Sequence, residues 1–241
     1  MNGADSPGFV RLLGVGFIVF AIAFNLPYSW LAAHFDYPAI LRSPPGTILG
    51  AFTEGGTPLV LAWASFMLAA LLFAPVAVGV GAVTGRPGRS GAAIACLGVA
   101  AAATQAIGLS RWVYAVPGLA ADWEASAGEP AARRSIEATF TALHQFAGVG
   151  VGEAIGQTLT AFWLIGVAMM QWRHPRFGVM CSILALLAAV ALLLGLSEGV
   201  ATVVAFDPGL LGLGALVGFL VLTLWLVWTG TLCLLRPIAI G

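Results

Sequence analysis

The side chains of this sequence best placed to do chemistry are the ionisable and amide groups inside long apolar runs. His144, Gly148, Gly152, Gly156 and Thr160 recur every four residues as one helical stripe, and Gln145, Val149, Glu153 and Gln157 form the stripe beside it. Counting back from Trp172 at the rise of an α-helix, Glu153 lies ~28 Å and Gln157 ~22 Å along the segment. The same count from the inner ends of their own segments places Asn25 and Gln105 at ~22 Å, and Arg111 and Glu198 at ~30 Å. An ionisable group in hydrocarbon is costly and faces a bundle interior or a wet cavity. The spacing therefore predicts that several helices bring polar groups to one level, in the outer third of a bilayer.

Each of these groups has a chemistry. Desolvation lets Glu153 or Glu198 keep a proton near neutral pH and act as a general acid. Arg111 can hold a carboxylate or another anion, while Asn25, Gln105, His144 and Gln157 can orient a ligand. The alternative is structural: Arg111 pairs with Glu153 or Glu198 to tie helices together, and the amides bond between spans.

A second source of polar groups is the segment His34-Phe-Asp-Tyr-Pro-Ala-Ile-Leu-Arg42, which supplies His34, Asp36 and Arg42. Ser43 before Pro44 is a helix start, since Ser caps and Pro is tolerated in the first turn. Ile48, Leu49 and Phe52 would share one face of the short helix that follows. That helix either lies at the interface, anchored by Trp30 and Tyr37, or plugs the bundle as a lid over a pocket. Further on, Glu129-Pro130 opens a helix in which Arg133 and Glu137 form a solvated i,i+4 pair. Continued to residue 171 it would be ~60 Å long, twice a bilayer core, so it projects outward or breaks near Gly148–Gly152.

The elements that position these residues follow from composition. The chain has 241 residues, 60% hydrophobic and 8% charged. A soluble domain carries about a quarter of its residues as charges, and a disordered chain is poor in apolar residues, so both classes are excluded. Six apolar runs are long enough to cross a membrane: 9–31, 57–83, 91–116, 139–171, 178–199 and 209–235. The expected fold is a single all-α transmembrane bundle over residues 1–241. The first run, led by Arg11 alone, reads as a span rather than a signal peptide, and Asn25-Leu-Pro-Tyr-Ser-Trp30 as its end at an interface.

Orientation follows from the arginines. Arg11, Arg86, Arg89, Arg173, Arg176 and Arg236 fall on the side of the termini; Arg42, Arg133 and Arg134 fall opposite, with Arg111 at the end of a span. By the positive-inside rule the termini are cytoplasmic in a multi-pass protein of the plasma membrane. Apart from Asp5, the acids Asp36, Glu54, Asp122, Glu124, Glu129, Glu137, Glu153, Glu198 and Asp207 gather toward the outer side, which marks it as the working face.

Several chemistries are excluded or disfavoured. There is no Lys, so retinal and pyridoxal phosphate have no amine for a Schiff base. Zero net charge gives no reason to expect nucleic acid. Cys96, Cys181 and Cys233 lie in apolar runs and read as small core residues rather than a disulfide framework. Aspartate-rich magnesium motifs and histidine clusters are missing, and haem held by His34 and His144 is disfavoured. No metal or other cofactor is expected. Gly79-Val-Gly81 and Gly148-Val-Gly150-Val-Gly152 lie within spans, where glycine means packing.

Phe35-Asp-Tyr-Pro-Ala-Ile-Leu-Arg42-Ser-Pro-Pro after a first span, with His144-Gln-Phe-Ala-Gly and Gly152-Glu153 further on, resembles a family of uncharacterised bacterial integral membrane proteins classed as a domain of unknown function. The resemblance implies a helical bundle over most of the chain, with the first outer loop and the fourth span as one site. It implies no reaction.

Three functions stay open. The first is an outward-facing polar pocket that binds or transports a small apolar or amphipathic molecule. The second is a cofactor-independent enzyme that uses Glu153 or Glu198 on a lipid-like substrate. The third is an accessory subunit, or homo-oligomer, docked through the glycine faces at 148–156 and at Gly214 and Gly218.

Overall fold

A computed structural model describes residues 6–84 and 89–237, and every regular element among them is helical. Asp5 and Arg86, used in the charge count, lie outside the described residues. The order is α1 (Pro7–His34), a 3-10 turn (Ala39–Arg42), α2 (Pro45–Val83), α3 (Arg89–Tyr114), α4 (Val116–Ala125) and α5 (Pro130–Leu143). A π-helical segment (His144–Ile155), α6 (Gly156–Gln171), α7 (Gly178–Ala201), a second 3-10 turn (Gly209–Leu213) and α8 (Gly214–Leu235) complete it.

Six helical stretches among the described residues are long and apolar enough to cross a membrane: Pro7–His34, Pro45–Val83, Arg89–Ala125, Pro130–Gln171, Gly178–Ala201 and Gly209–Leu235. Their outer faces agree with that reading. Leu12, Val15, Val19, Ile22 and Leu26 are exposed on α1 at helical spacing, as are Leu216, Val217, Leu220, Leu224 and Val227 on α8. Continuous apolar stripes turned outward suit hydrocarbon rather than water.

One local feature departs from expectation, at α1, and one, at α2, keeps the expected short helix apart from the span at 57–83. α1 does not end at Asn25–Trp30 but runs through Pro27 to His34. In hydrocarbon, leaving the helix would strand backbone groups with nothing to bond, so a single proline is absorbed. α2 is two helices merged across a break at Gly56, whose φ of 53° and ψ of −149° suit a residue without Cβ.

The chain divides into two compact units. Unit 1 comprises residues 1–22, 72–103 and 154–241, and unit 2 comprises 23–71 and 104–153. In unit 1, α7 lies against α6 and α8. Glycine makes this approach possible: a Cβ on Gly214 would come 2.5 Å from the Ala191 carbonyl, and one on Gly218 2.7 Å from Leu192 Cγ. Trp163 sits edge-on to Phe73 at 5.0 Å and to Trp225 at 5.6 Å. The Trp225 indole donates to Gln171 Oε1 at 3.1 Å. Cys181 and Cys233 are buried core residues as expected, but Cys96 is exposed, because it falls on the outer face of α3.

Arg176, in the short turn before α7, is only 4% exposed. Its Nε donates to the Arg236 carbonyl at 2.8 Å, Nη1 to Val83 at 2.7 Å and Nη2 to Pro237 at 3.2 Å. The last carbonyls of a helix lack intrahelical donors. One guanidinium therefore serves the ends of both α2 and α8.

Candidate functional site

The core of unit 2 is aromatic. Trp63 and Trp112 stack at 4.7 Å with planes 9° apart. Phe35 meets both edge-on, at 6.1 and 5.7 Å, and Phe52 stacks on Trp112 at 5.8 Å. Tyr37 is edge-on to Trp63 at 5.3 Å, and Phe140 lies 6.1 Å from Trp112. Such pairs gain from the ring quadrupoles beyond the area they bury.

The short helix after Pro44 forms part of this core. Ile48, Leu49 and Phe52, on the arm of α2 before Gly56, are buried within unit 2. This corrects the reading of a helix lying on the bilayer. The rings of Phe35 and Trp112 offer Phe52 a closer-packed partner than lipid. Trp30 does remain near the surface, with the exposed His34 ring stacked on it at 4.4 Å.

The polar residues enter beside these rings. Arg111 on α3 is 6% exposed, donates Nη1 to the Gly108 carbonyl of its own helix and holds Cζ 5.1 Å from the Trp112 ring centre. It lies against Gly148, where a Cβ would come 2.5 Å from Nη2. One turn away, a Cβ on Gly108 would come 2.5 Å from Gly152 Cα. Here the long fourth helix neither stays α nor breaks: it widens into the π segment, a rare form frequent at functional sites. Gly148, Gly150 and Gly152 remove the side chains that a widened coil and two close neighbours would meet.

Glu153, within this segment, pairs with Arg42 at 3.4 Å, the two side chains being 29% and 30% exposed. The structural alternative paired Arg111 with Glu153 or Glu198; Glu153 instead takes Arg42 from the first loop, whose 3-10 turn delivers it. Similarly, Arg133 does not pair with Glu137 but lies over the Trp123 ring at 4.3 Å, where a flat cation gains from the π face. Tyr37, outside the spans, has its phenol pushed above the ordinary range by burial and then by the Glu153 carboxylate, so it stays protonated.

His144 is 7% exposed, stacked on Phe140 at 5.6 Å and 6.4 Å from Trp112. Neither of its ring nitrogens has a hydrogen-bond partner among the described residues. The same holds for Arg111 Nε and for the indole N–H of Trp63 and Trp112.

Unit 2 thus contains Asn25, Arg42, Gln105, Arg111, His144 and Glu153, with Asn25 and Gln105 half-buried. His34 and Asp36 belong to it as exposed residues. The Nδ1 of His34 lies 2.9 Å from the Trp30 carbonyl, and Asp36, at φ 50°, accepts the Ile40 N–H at 2.9 Å to open the turn. Gln157, buried, and Glu198, half-buried, belong to unit 1. Sequence reasoning missed Phe35, Trp63, Trp112 and Phe140. The two tryptophans stand near the ends of apolar runs, where interface anchors also stand, and composition does not separate the two roles.

The glycine faces have intramolecular uses. Gly148 receives Arg111, Gly152 meets Gly108, and Gly214 and Gly218 meet α7. In each case close approach within the chain fills the space a missing Cβ leaves.

Among the described residues, six helices long and apolar enough to cross a membrane, with buried polar groups set among aromatic rings, define a polytopic α-helical membrane protein. Residues 12–230 match the family described as a domain of unknown function, DUF4386, and the chain belongs to that family. No curated protein and no solved structure matches it.

Proposed function

We propose that unit 2 binds a small amphipathic molecule, in a protein of the bacterial plasma membrane with both termini in the cytoplasm. One observation carries the reading: Arg111 Nε, the Trp63 and Trp112 indole nitrogens and both nitrogens of His144 are buried beside aromatic rings without hydrogen-bond partners among the described residues. Leaving such a group unsatisfied costs about 1–3 kcal/mol, a penalty that a ligand making those bonds relieves. Arg111, Trp63 and Trp112 can only donate, and a neutral His144 adds one donor and one acceptor. The complementary molecule presents acceptor oxygens and an apolar body. The half-buried amides of Asn25 and Gln105 and the Arg42–Glu153 pair are its further candidate contacts.

Catalysis by Glu153 has less support, because its side chain is partly solvated and paired with Arg42 rather than desolvated. The test is native mass spectrometry of gently purified protein, with extraction of whatever accompanies it. The expected result is one small molecule in stoichiometric amount, lost in His144→Phe. Bulk lipid alone, carried equally by both proteins, would overturn the reading.

A further inference from the structure

We infer that the molecule held by unit 2 carries an anionic group, a carboxylate or phosphate, seated on Arg111; this rests on the binding-site reading above. Arg111 is a permanent cation, 6% exposed, within a membrane-crossing segment. A buried charge is retained when another charge or a set of hydrogen bonds compensates it. Among the described residues Arg111 has one main-chain acceptor, the Gly108 carbonyl, and the face of Trp112. The neighbouring carboxylate, Glu153, lies on Arg42 at 3.4 Å. Two guanidinium groups thus share one carboxylate, and these three residues sum to one positive charge.

The guanidinium geometry says which anion fits. Nη1 is spent on Gly108, while the Nε edge retains a buried N–H without a partner among the described residues. A planar fork of this kind takes a carboxylate or phosphate through paired hydrogen bonds. Glycine at 148 leaves room for the fork, since a Cβ there would lie 2.6 Å from Arg111 Cζ. The indole N–H of Trp112, on the ring that Arg111 overlies, adds a neutral donor of the right sign, and the surrounding rings suit an apolar chain. A free amphipathic acid and a lipid headgroup share this chemistry.

The test uses the full chain in nanodiscs of neutral lipid, read by tryptophan fluorescence and thermal stability. The probes are decanoate, methyl decanoate, inorganic phosphate and phosphatidic acid. Decanoate is expected to bind about tenfold or more tightly than its ester, and the difference to vanish in Arg111→Gln and persist in part in Arg111→Lys. Should Arg111→Gln fail to fold, the acid–ester comparison on the unaltered protein decides. Equal binding of acid and ester overturns the anionic seat and leaves the binding site standing. Failure of all the amphiphiles overturns both. Preference for phosphatidic acid supports the seat with a lipid headgroup as its source, and preference for inorganic phosphate supports it with a free anion.

Discussion

Arginine offers five N–H donors in a rigid fork, and two arginines of this chain use that fork in opposite ways. Arg176 spends it on main-chain carbonyls at the ends of α2 and α8, whereas Arg111 keeps a buried donor unspent among the described residues. Lysine cannot span three carbonyls from one point. Arg176→Lys is therefore expected to lower stability by roughly 2 kcal/mol and Arg176→Ala by more, checked by thermal unfolding in detergent. Beside it, burial first and then the Arg176 charge hold His174 below the usual histidine value of 6.5. The folded state resists a proton that the unfolded chain accepts, so stability is retained above about 6.5 and falls as pH drops below it. His174→Gln should flatten the melting temperature between pH 7.5 and 5.5. An unchanged slope would show that His174 does not set it.

At the scale of elements, the four-residue glycine spacing was legible in the sequence as close approach. What approaches was not legible, because the partners are Arg111 and Gly108, far away in the chain. The π form of residues 144–155 was also hidden: glycines permit a widened coil, but the facing helix selects it. Gly108→Ala would press a Cβ into the Gly152 backbone and is expected to cost about 3 kcal/mol. Gly16→Ala and Gly81→Ala, where a Cβ meets nothing within 4 Å, should be neutral or slightly stabilising. Comparing the melting temperatures of the three variants tests whether glycine serves packing only where two backbones touch.

At the scale of the molecule, the described residues hold six apolar helices, and an even number of spans together with the arginine distribution supports the proposal that both termini lie in the cytoplasm. With the native cysteines replaced, Asp207→Cys should react with an impermeant maleimide in intact cells, and Ser6→Cys only after permeabilisation. The reverse pattern would invert the assignment. Class, span number and the presence of buried polar groups could be read from the sequence, because transfer from water to hydrocarbon is a property of each short segment that adds along the chain. The partners of those groups were decided by tertiary structure alone. Arg42 and Glu153 stand 111 positions apart, and Trp63 and Trp112 stack from different helices. Pairing of that kind depends on where the folded backbone carries each side chain, and no local pattern records it.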